Sequence, residues 1–448
     1  MSEWKKVKIG EFLTEREGRF KPDDKRISKY QRLDKIDFSG NIHLSNKPTK
    51  TDMILVQPGD LVISGINVAK GAITVYQGEE PVCATIHYSS YTFDSSKVDL
   101  DYFKFFVKSA AFIAAMQKQV KGGIKTEIKP KHLLALEISI PDLGTQKKIV
   151  EEISSQLETT EQLSSEIEKQ KSYAKQLRQN ILQEAIEGKL TADWRKQHPI
   201  QKGNPDYDAQ ALLNYLQQKK ESLKNDPLVK REKIRTPVSD TEKEFSIPNN
   251  WIWIRMGELC YPITKGTTPD VHEIKAEGEI PYLKMFNIVN QKIDFDYRPQ
   301  YISKKVHDEK LTRSKVYPND VIMNIVGPPM GKIAIITDEF PEWNLNQAMA
   351  IFRGYDISIN PYIYVFLNSM IWFKYVHTLG VVGQENMSLE QCKDIAIPLP
   401  PLAEQKEIVA RVEQHLQTIT QLETQIATRE TTTKQLMQSI LKDAFEEG

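Results

Sequence analysis

The 448-residue chain has few cysteines, no excess charge of either sign and no long hydrophobic run. Its three cysteines, Cys83, Cys260 and Cys392, lie far apart and lack the spacing of zinc ligands, which predicts buried thiols and no metal site. No apolar segment reaches membrane-spanning length, and the N-terminal residues are charged where a signal peptide would be apolar. We therefore expect a cytoplasmic protein.

The sequence also lacks motifs for nucleotide binding and catalysis. Residues 327–333 read GPPMGKI, which is one residue short of a phosphate-binding loop and ends in isoleucine instead of serine or threonine. No glycine-rich strand-to-helix turn offers a site for a nucleotide or S-adenosylmethionine, and no GxSxG or HExxH motif is present. The eight histidines are scattered. These absences predict a non-catalytic chain with no cofactor of its own.

The net charge is zero, but the charges are segregated along the chain. Residues 103–132 are rich in lysine, and their one acidic residue is Glu127. The helical pattern that follows carries an excess of glutamate. A basic surface that could bind nucleic acid is therefore compatible with a neutral average.

A long helical pattern occurs twice, from Thr145 to about Glu187 and from Glu404 to the end of the sequence. In each copy the apolar residues step by alternating threes and fours, which is the heptad pattern of a coiled coil. The contact positions are Val150, Ile153, Leu157, Ile167 and Ile181 in the first copy, and Val409, Val412, Leu416, Ile426 and Ile440 in the second. We expect the copies to pair with each other; the pattern leaves parallel and antiparallel pairing open.

Each helical copy follows a segment of short apolar strands, turns and one or two helices, and these two segments also correspond to each other. The predicted fold is α+β, with two repeated globules that are each followed by a long helix. The predicted domains are a first globule at 1–142, a helix at 143–188, a connector at 189–245, a second globule at 246–400 and a helix at 401–448. Proline and charge predict that the connector is exposed, with a possible short helix at 209–224.

Two glycine-bearing loops and two amide-rich turns are the candidate binding residues. Glycine permits close approach of the backbone, lysine meets phosphates, and asparagine or glutamine can read adenine edges. The candidates are Asn67, Lys70, Lys121, Gly123, Lys125, Thr126 and Lys129 in the first globule, and Asn344, Asn346, Gln347, Gln384 and Asn386 in the second. The alternative for these residues is a helix C-cap or an ordinary turn with solvated side chains.

Several stretches resemble the DNA-specificity subunits of type I restriction-modification systems. They are IPDLGTQKKIV at Ile140, IPNNWIWIRMGEL at Ile247, IPLPPLAEQKEIV at Ile397 and the two helix ends. The resemblance implies that each globule is a target recognition domain that reads one half of a bipartite, asymmetric DNA sequence. The paired helices would set the spacing and dock two methyltransferase subunits, and two restriction and motor subunits would join for cleavage. S-adenosylmethionine, ATP and magnesium would then belong to the partner subunits.

A second function class is a cytoplasmic coiled-coil scaffold whose globules bind protein partners. Paired helices fit this class as well. The lysine-rich stretch and the unlike loops of two otherwise parallel globules favour DNA.

Overall fold

A computed structural model describes residues 4–37, 40–66, 72–119, 129–375 and 386–446. The chain divides into two compact units. Unit 1 contains residues 1–170 and 425–448, and unit 2 contains residues 171–424. Each of the two long helices contributes residues to both units.

The described residues of unit 1 contain ten strands in two four-stranded sheets and one two-stranded ribbon. The first sheet has the order β2-β9-β6-β7, the second β4-β3-β8-β5, and the ribbon pairs β1 with β10. The strands are β1 (Lys5–Lys8), β2 (Leu13–Glu15), β3 (Arg32–Ile36), β4 (Ile42–Ser45), β5 (Met53–Val56), β6 (Leu61–Ser64), β7 (Ile73–Val75), β8 (Val82–Thr85), β9 (Tyr88–Phe93) and β10 (Glu137–Ile140).

The described part of this segment also contains three short helices and the first long helix: α1 (Leu100–Phe106), α2 (Ala110–Gln119), α3 (Pro130–Leu134) and α4 (Leu143–Ile186). Helix α4 begins where the Asp142 side chain accepts the N–H groups of Gly144 and Thr145 at 3.0 and 3.1 Å. It ends before Gly188, whose φ of +74° lies in the left-handed region that favours glycine.

Unit 2 starts with the end of α4, α5 (Ala192–Gln197) and α6 (Ala209–Ser222). Outside residues 376–385, which are not described, its strands are β11 (Ile252–Arg255), β12 (Cys260–Lys265), β13 (Ile280–Leu283), β14 (Ile288–Val289), β15 (Lys292–Ile293), β16 (Tyr301–Ile302), β17 (Lys315–Val316), β18 (Val321–Asn324), β19 (Ile333–Ile335), β20 (Trp343–Leu345), β21 (Met349–Gly354) and β22 (Ala396–Leu399). The remaining helices are α7 (Met256–Leu259), α8 (Asn360–Asn368), α9 (Leu389–Asp394) and α10 (Leu402–Glu446).

The sheets of unit 2 repeat those of unit 1. Their orders are β12-β21-β18-β19 and β16-β13-β20-β17, and β11 pairs with β22. In both units one pair of the second sheet is parallel, β3 with β8 and β13 with β20, while the other pairs are antiparallel. The predicted internal repeat and the α+β class are confirmed, and unit 2 adds the small hairpin of β14 and β15.

A buried turn carboxylate recurs in the repeat. Asp60 precedes β6 and accepts two hydrogen bonds of 2.7 Å from Arg16, and Asp320 precedes β18 and accepts two, of 2.7 and 2.5 Å, from Arg353. Each carboxylate also accepts the N–H three residues earlier in the turn, from Gln57 at 2.9 Å and from Tyr317 at 2.8 Å. The turns before β6 and β18 are thus each fixed by a carboxylate that is buried and paired with an arginine.

The long helices run antiparallel in both units. In unit 1 the first turns of α4 and the last turns of α10 share one core that contains Ile153, Ile440 and Phe445. In unit 2 the later part of α4 meets the earlier part of α10, where Arg178 Nη2 lies 3.0 Å from Glu423 Oε2. Both charged residues stand where the heptad pattern would continue with an apolar residue. Their ion pair matches the two charged positions with each other and fixes the register of the two helices.

The prediction of an exposed connector is wrong for part of residues 189–245. Ala209, Leu212 and Leu216 of α6 are buried. The connector is also held by polar contacts, because Tyr215 Oη donates to Asp356 at 2.7 Å and Arg235 Nη1 lies 2.7 Å from Asp394 Oδ1. The segment has few apolar residues, and it packs through those few and through ion pairs. The predicted short helix is present as α6.

The three cysteines are buried, free thiols, as predicted. Burial raises the pKa of Cys83 to about 11 and that of Cys392 to about 12, and it also raises the pKa of Cys260. Since the thiolate is the reactive form, these thiols are inert at neutral pH.

Candidate nucleic-acid interface

Most of the loop residues predicted to contact DNA lie outside the described residues. They are Asn67, Lys70, Lys121, Gly123, Lys125, Thr126 and Gln384. Lys129 is described: it is exposed and stands immediately before α3. Its charge suits a phosphate, and its DNA contact stays a prediction.

The assignment of Asn344 as a DNA contact is wrong. Asn344 lies in β20, the strand between β13 and β17, and is 0% exposed. Its Nδ2 donates to the Leu311 carbonyl at 3.2 Å and lies 3.1 Å from His307 Nδ1. A side chain so enclosed cannot reach a base edge. The sequence pattern suggested a turn amide, but the long-range pairing of β20 buries it.

The structure brings three other candidates to one end of β18. The Ile325 N–H donates to the Ala348 carbonyl at 2.8 Å, and the Met387 N–H donates to the Ile325 carbonyl at 2.9 Å. Asn346 and Gln347 come just before Ala348 in the chain, and Asn386 comes just before Met387. Gln347 and Asn386 are exposed, and Asn346 is half-buried. Two segments predicted separately therefore form one amide-bearing edge of unit 2.

Asn324, the last residue of β18, fixes the adjoining loop and was missed in the sequence. Its side chain is 0% exposed, and Nδ2 donates to the carbonyls of Val326 and Pro329 at 2.7 Å each. Its Oδ1 is buried and has no hydrogen-bond partner among the described residues. Asn324 thus shapes the GPPM loop from inside, next to the edge that carries Asn386.

A basic depression in unit 1 was also missed. It has a volume of about 380 Å³ and is lined by residues of β3, β4 and the turns around them, including Lys29, Tyr30, Arg32 and Lys47. Lys29 and Lys47 are exposed, and Lys29 Nζ lies 4.8 Å from the Tyr30 ring centroid. Arg32 is engaged by Asp34 at 2.5 Å. Exposed lysines beside a tyrosine ring suit a phosphate and a stacked base. In the sequence, the basic residues between positions 16 and 50 could have indicated this depression.

Among the described residues, one group has side chains that could together bind a metal ion. It consists of Asp270, His272 and Glu273, whose possible ligand atoms lie within 4.8 Å of one another. Glu273 is already paired with Lys310, and it accepts the Asp270 N–H at 3.2 Å. The hydrogen bond from Lys310 lowers the pKa of Glu273. Glu273 is thus already engaged by a lysine ammonium.

The ten residues predicted to form contacts between the long helices lie along the antiparallel pair of α4 and α10. Six of the ten are buried, namely Ile153, Ile167, Ile181, Val412, Ile426 and Ile440, and the other four, Val150, Leu157, Val409 and Leu416, are half-buried. Leucines at equivalent repeat positions face solvent instead: Leu163 and Leu422 are 45% and 42% exposed, and Leu177 and Leu436 are 44% and 45% exposed. Each unit therefore carries one such leucine from each helix.

The repeated globules and paired helices match a family of known proteins. The family model described as type I restriction modification DNA specificity domain matches residues 1–170 and 248–429, which includes most of both halves. The chain belongs to this family. The resemblance inferred from the helix sequences is thereby confirmed.

Curated relatives from Escherichia coli are similar over part of their length. The specificity subunit of the type I restriction enzyme EcoBI is 27% identical over 340 residues, which cover 75% of this chain and 63% of that protein. The EcoEI specificity subunit is 26% identical over 278 residues, which cover 60% of this chain and 45% of that protein. The chain spans about half to two thirds of the length of these relatives.

Two solved structures share the fold over nearly the whole chain. One, described as the structural basis of complex assembly and conformational transition of the type I R-M system, has a TM-score of 0.68 at 16% identity and covers 99% of this chain and 97% of its own. The HsdS subunit from Thermoanaerobacter tengcongensis has a TM-score of 0.51 at 16% identity, with 99% and 96% covered. Among the described residues, no helix is both long and apolar enough to cross a membrane.

Proposed function

We propose that this chain is the non-catalytic DNA-specificity subunit of a type I restriction-modification complex. The observation that carries the proposal is the family match over both halves, together with two globules that share strand order and differ in their candidate binding residues. Lysine contacts to phosphates would hold the duplex, and different polar side chains would select each half of a bipartite, asymmetric target.

The candidate DNA-binding residues of the two globules differ in chemistry. Unit 1 presents exposed lysines, including Lys29, Lys47 and Lys129, and unit 2 presents the amides of Gln347 and Asn386. Amide side chains suit adenine edges in the major groove, whereas lysines meet phosphates. This difference supports two unlike half-sites.

The long helices would set the spacing between the half-sites and dock two methyltransferase subunits. Exposed leucines at equivalent repeat positions, Leu163 with Leu422 and Leu177 with Leu436, support two equivalent docking surfaces. S-adenosylmethionine would belong to those partners, and ATP and magnesium to two restriction and motor subunits. The cytoplasm, where the DNA is, would be the site of action.

Methylation mapping of genomic DNA tests the proposal. The host expresses a methyltransferase subunit with this chain, without it, or with Gln347→Ala and Asn386→Ala variants of it. We expect a split motif whose methylation requires the chain, and relaxed sequence at one half-site in the variants. Absence of any dependent motif, with both proteins folded, would favour a protein-binding scaffold.

A further inference from the structure

The connection between β13 and β16 in unit 2 is longer than its counterpart in unit 1. By their places in the second sheet, β13 and β16 correspond to β3 and β4. Residues 284–300 join β13 to β16, whereas residues 37–41 join β3 to β4. The longer connection contains the hairpin of β14 and β15, followed by a bend at Tyr297 and Arg298. Unit 2 thus has an additional element whose side chains are available for a function of their own.

This connection leaves the sheet at the amide-bearing edge. Because β13 and β20 are parallel neighbours, their carboxyl ends lie at the same edge of the sheet. The Asn346 N–H, just after β20, donates to the Leu283 carbonyl, at the end of β13, at 3.0 Å. Lys332 Nζ, just after the GPPM loop, donates to the carbonyls of Met285 and Ile288 at 3.3 and 3.1 Å. The connection, the GPPM loop and the amide-bearing edge are therefore contiguous.

A buried amide fixes the bend of this connection. Asn287 is 0% exposed, and its Nδ2 donates to the Tyr297 carbonyl at 2.8 Å and to the Asp294 carbonyl at 3.3 Å. Its Oδ1 accepts the Lys284 N–H at 3.0 Å. The Tyr297 N–H in turn donates to Asp294 Oδ1 at 3.2 Å. The side chains of the bend are therefore presented from a backbone that is already ordered, which lowers the entropy cost of binding a ligand.

Tyr297 and Arg298 form an exposed pair on this bend. The Tyr297 ring is 48% exposed, and the Phe286 ring meets it edge-on, with the centroids 6.3 Å apart and the planes at 84°. The Arg298 guanidinium lies 5.2 Å from the Tyr297 ring centroid. Arg298 is exposed, and within the described part of the chain no carboxylate pairs with it. The pair therefore offers an uncompensated guanidinium that an aromatic ring holds in place.

We propose that Arg298 is a specificity-determining residue that reads a guanine in the half-site of unit 2, with Tyr297 as its positioning residue. This inference rests on the proposed function. The planar guanidinium can donate two parallel hydrogen bonds to guanine O6 and N7 in the major groove. The Tyr297 ring restricts the orientations of the guanidinium before DNA binds. The neighbouring amides suit adenine edges, so this edge of unit 2 can distinguish G·C from A·T pairs.

The alternative role for an exposed arginine is a phosphate contact, which requires only the charge. Arg298→Lys separates the two roles, because lysine keeps the charge and loses the planar fork. Methylation mapping in a host that also expresses the methyltransferase subunit should show other base pairs accepted at one G·C position of one half-site. The other half-site should be unchanged. On duplexes that differ at that position, the assembled complex should lose a preference of roughly tenfold in methylation rate.

Substitutions of Tyr297 test the positioning role. Tyr297→Leu removes the ring and should relax the same G·C position as Arg298→Lys. Tyr297→Phe keeps the ring and should retain the wild-type motif. Arg231→Ala, which removes an exposed arginine from the connector, is the matched control and should leave both half-sites unchanged. Continued methylation at the relaxed motif shows that the variants are folded and assembled.

The outcomes separate this inference from the proposed function. If the wild-type chain directs methylation of a split motif and Arg298→Lys leaves that motif complete, Arg298 does not read a base, and the proposed function stands. A wild-type motif without a G·C pair in either half-site has the same consequence. Relaxation of both half-sites by Arg298→Lys, or loss of all methylation, would indicate a general effect and would also overturn the inference. Absence of any split motif that requires the wild-type chain would refute the proposed function and this inference with it.

Discussion

The indole Nε1 of Trp251 donates a hydrogen bond of 2.8 Å to the carboxylate of Glu404, which is 0% exposed. The same carboxylate accepts the Thr191 hydroxyl at 2.7 Å, the Asn250 amide at 3.3 Å and the Arg195 guanidinium. Glu404 therefore joins the connector, the start of β11 and the first turn of α10 within unit 2. A buried carboxylate with this many donors is stable only while the donors stay in place.

We expect Glu404→Gln to loosen the connector of unit 2. The substitution removes the charge opposite Arg195, and a buried ion pair that loses one partner destabilises its surroundings by about 3 kcal/mol. Hydrogen exchange measured by mass spectrometry should show faster exchange in residues 189–197. Glu413→Gln is the matched control, since Glu413 is an exposed glutamate of the same helix. Equal protection in the two variants would contradict a central role for Glu404.

His307 should make the stability of unit 2 depend on pH. The side chain is 0% exposed, and its Nδ1 accepts the Asn344 amide at 3.1 Å, an arrangement that requires neutral imidazole at that nitrogen. Burial lowers the pKa of His307 from its ordinary value of 6.5, and the positive charge of Lys315 lowers it further. Other charged groups that act on it are Glu342, Asp308 and Lys304.

Because the folded state holds His307 with a lowered pKa, the unfolded state binds the proton more readily. Stability is then complete above about pH 6.5 and is lost as the pH falls through 6.5 towards the folded pKa. Urea unfolding of the full chain between about pH 5 and pH 8 measures this loss. His307→Gln should flatten the dependence in that window; an unchanged slope would assign it to other groups.

The repeat was predictable from the sequence because its signals are local. Proline-polar turns precede β6 and β18, and the heptad pattern placed the first long helix within two residues of its ends at Leu143 and Ile186. The positions of Asn344 and Glu404 were not predictable in this way. Asn344 is buried by strands distant in sequence, and the donors of Glu404 come from the connector and from the residues before β11. Contacts of this kind depend on tertiary packing, which periodicity does not encode.

Lys29 and Lys47 in the basic depression of unit 1 should contribute to DNA affinity without changing sequence preference. Each phosphate contact releases counterions, so Lys29→Ala or Lys47→Ala should reduce the slope of log K against log salt by about 1. Binding of the assembled complex to a target duplex at several salt concentrations gives the slope. Lys202→Ala, which removes an exposed lysine from the connector, is the control. An unchanged slope in both depression variants would exclude the depression from the DNA contact.

Lengthening both long helices by one heptad should change the spacing between the half-sites. Ile167 and Ile426 occupy equivalent repeat positions and are 5% and 9% exposed, so duplicating residues 168–174 and 427–433 preserves the apolar pattern of both helices. Seven residues add about 10 Å of helix, which corresponds to about three base pairs of duplex. Methylation mapping should then find both half-site sequences unchanged and the gap between them altered.

Lengthening a single helix provides the contrast for this experiment. The helices are antiparallel, and Arg178 pairs with Glu423 at 3.0 Å, so one added heptad shifts charged and apolar contacts out of register on one side of the insertion. We expect the single insertion to lower methylation at every spacing, while the double insertion keeps it at a new spacing. If the double insertion retains the original gap, the helices do not set the spacing, and the distance between half-sites must be determined by the partner subunits.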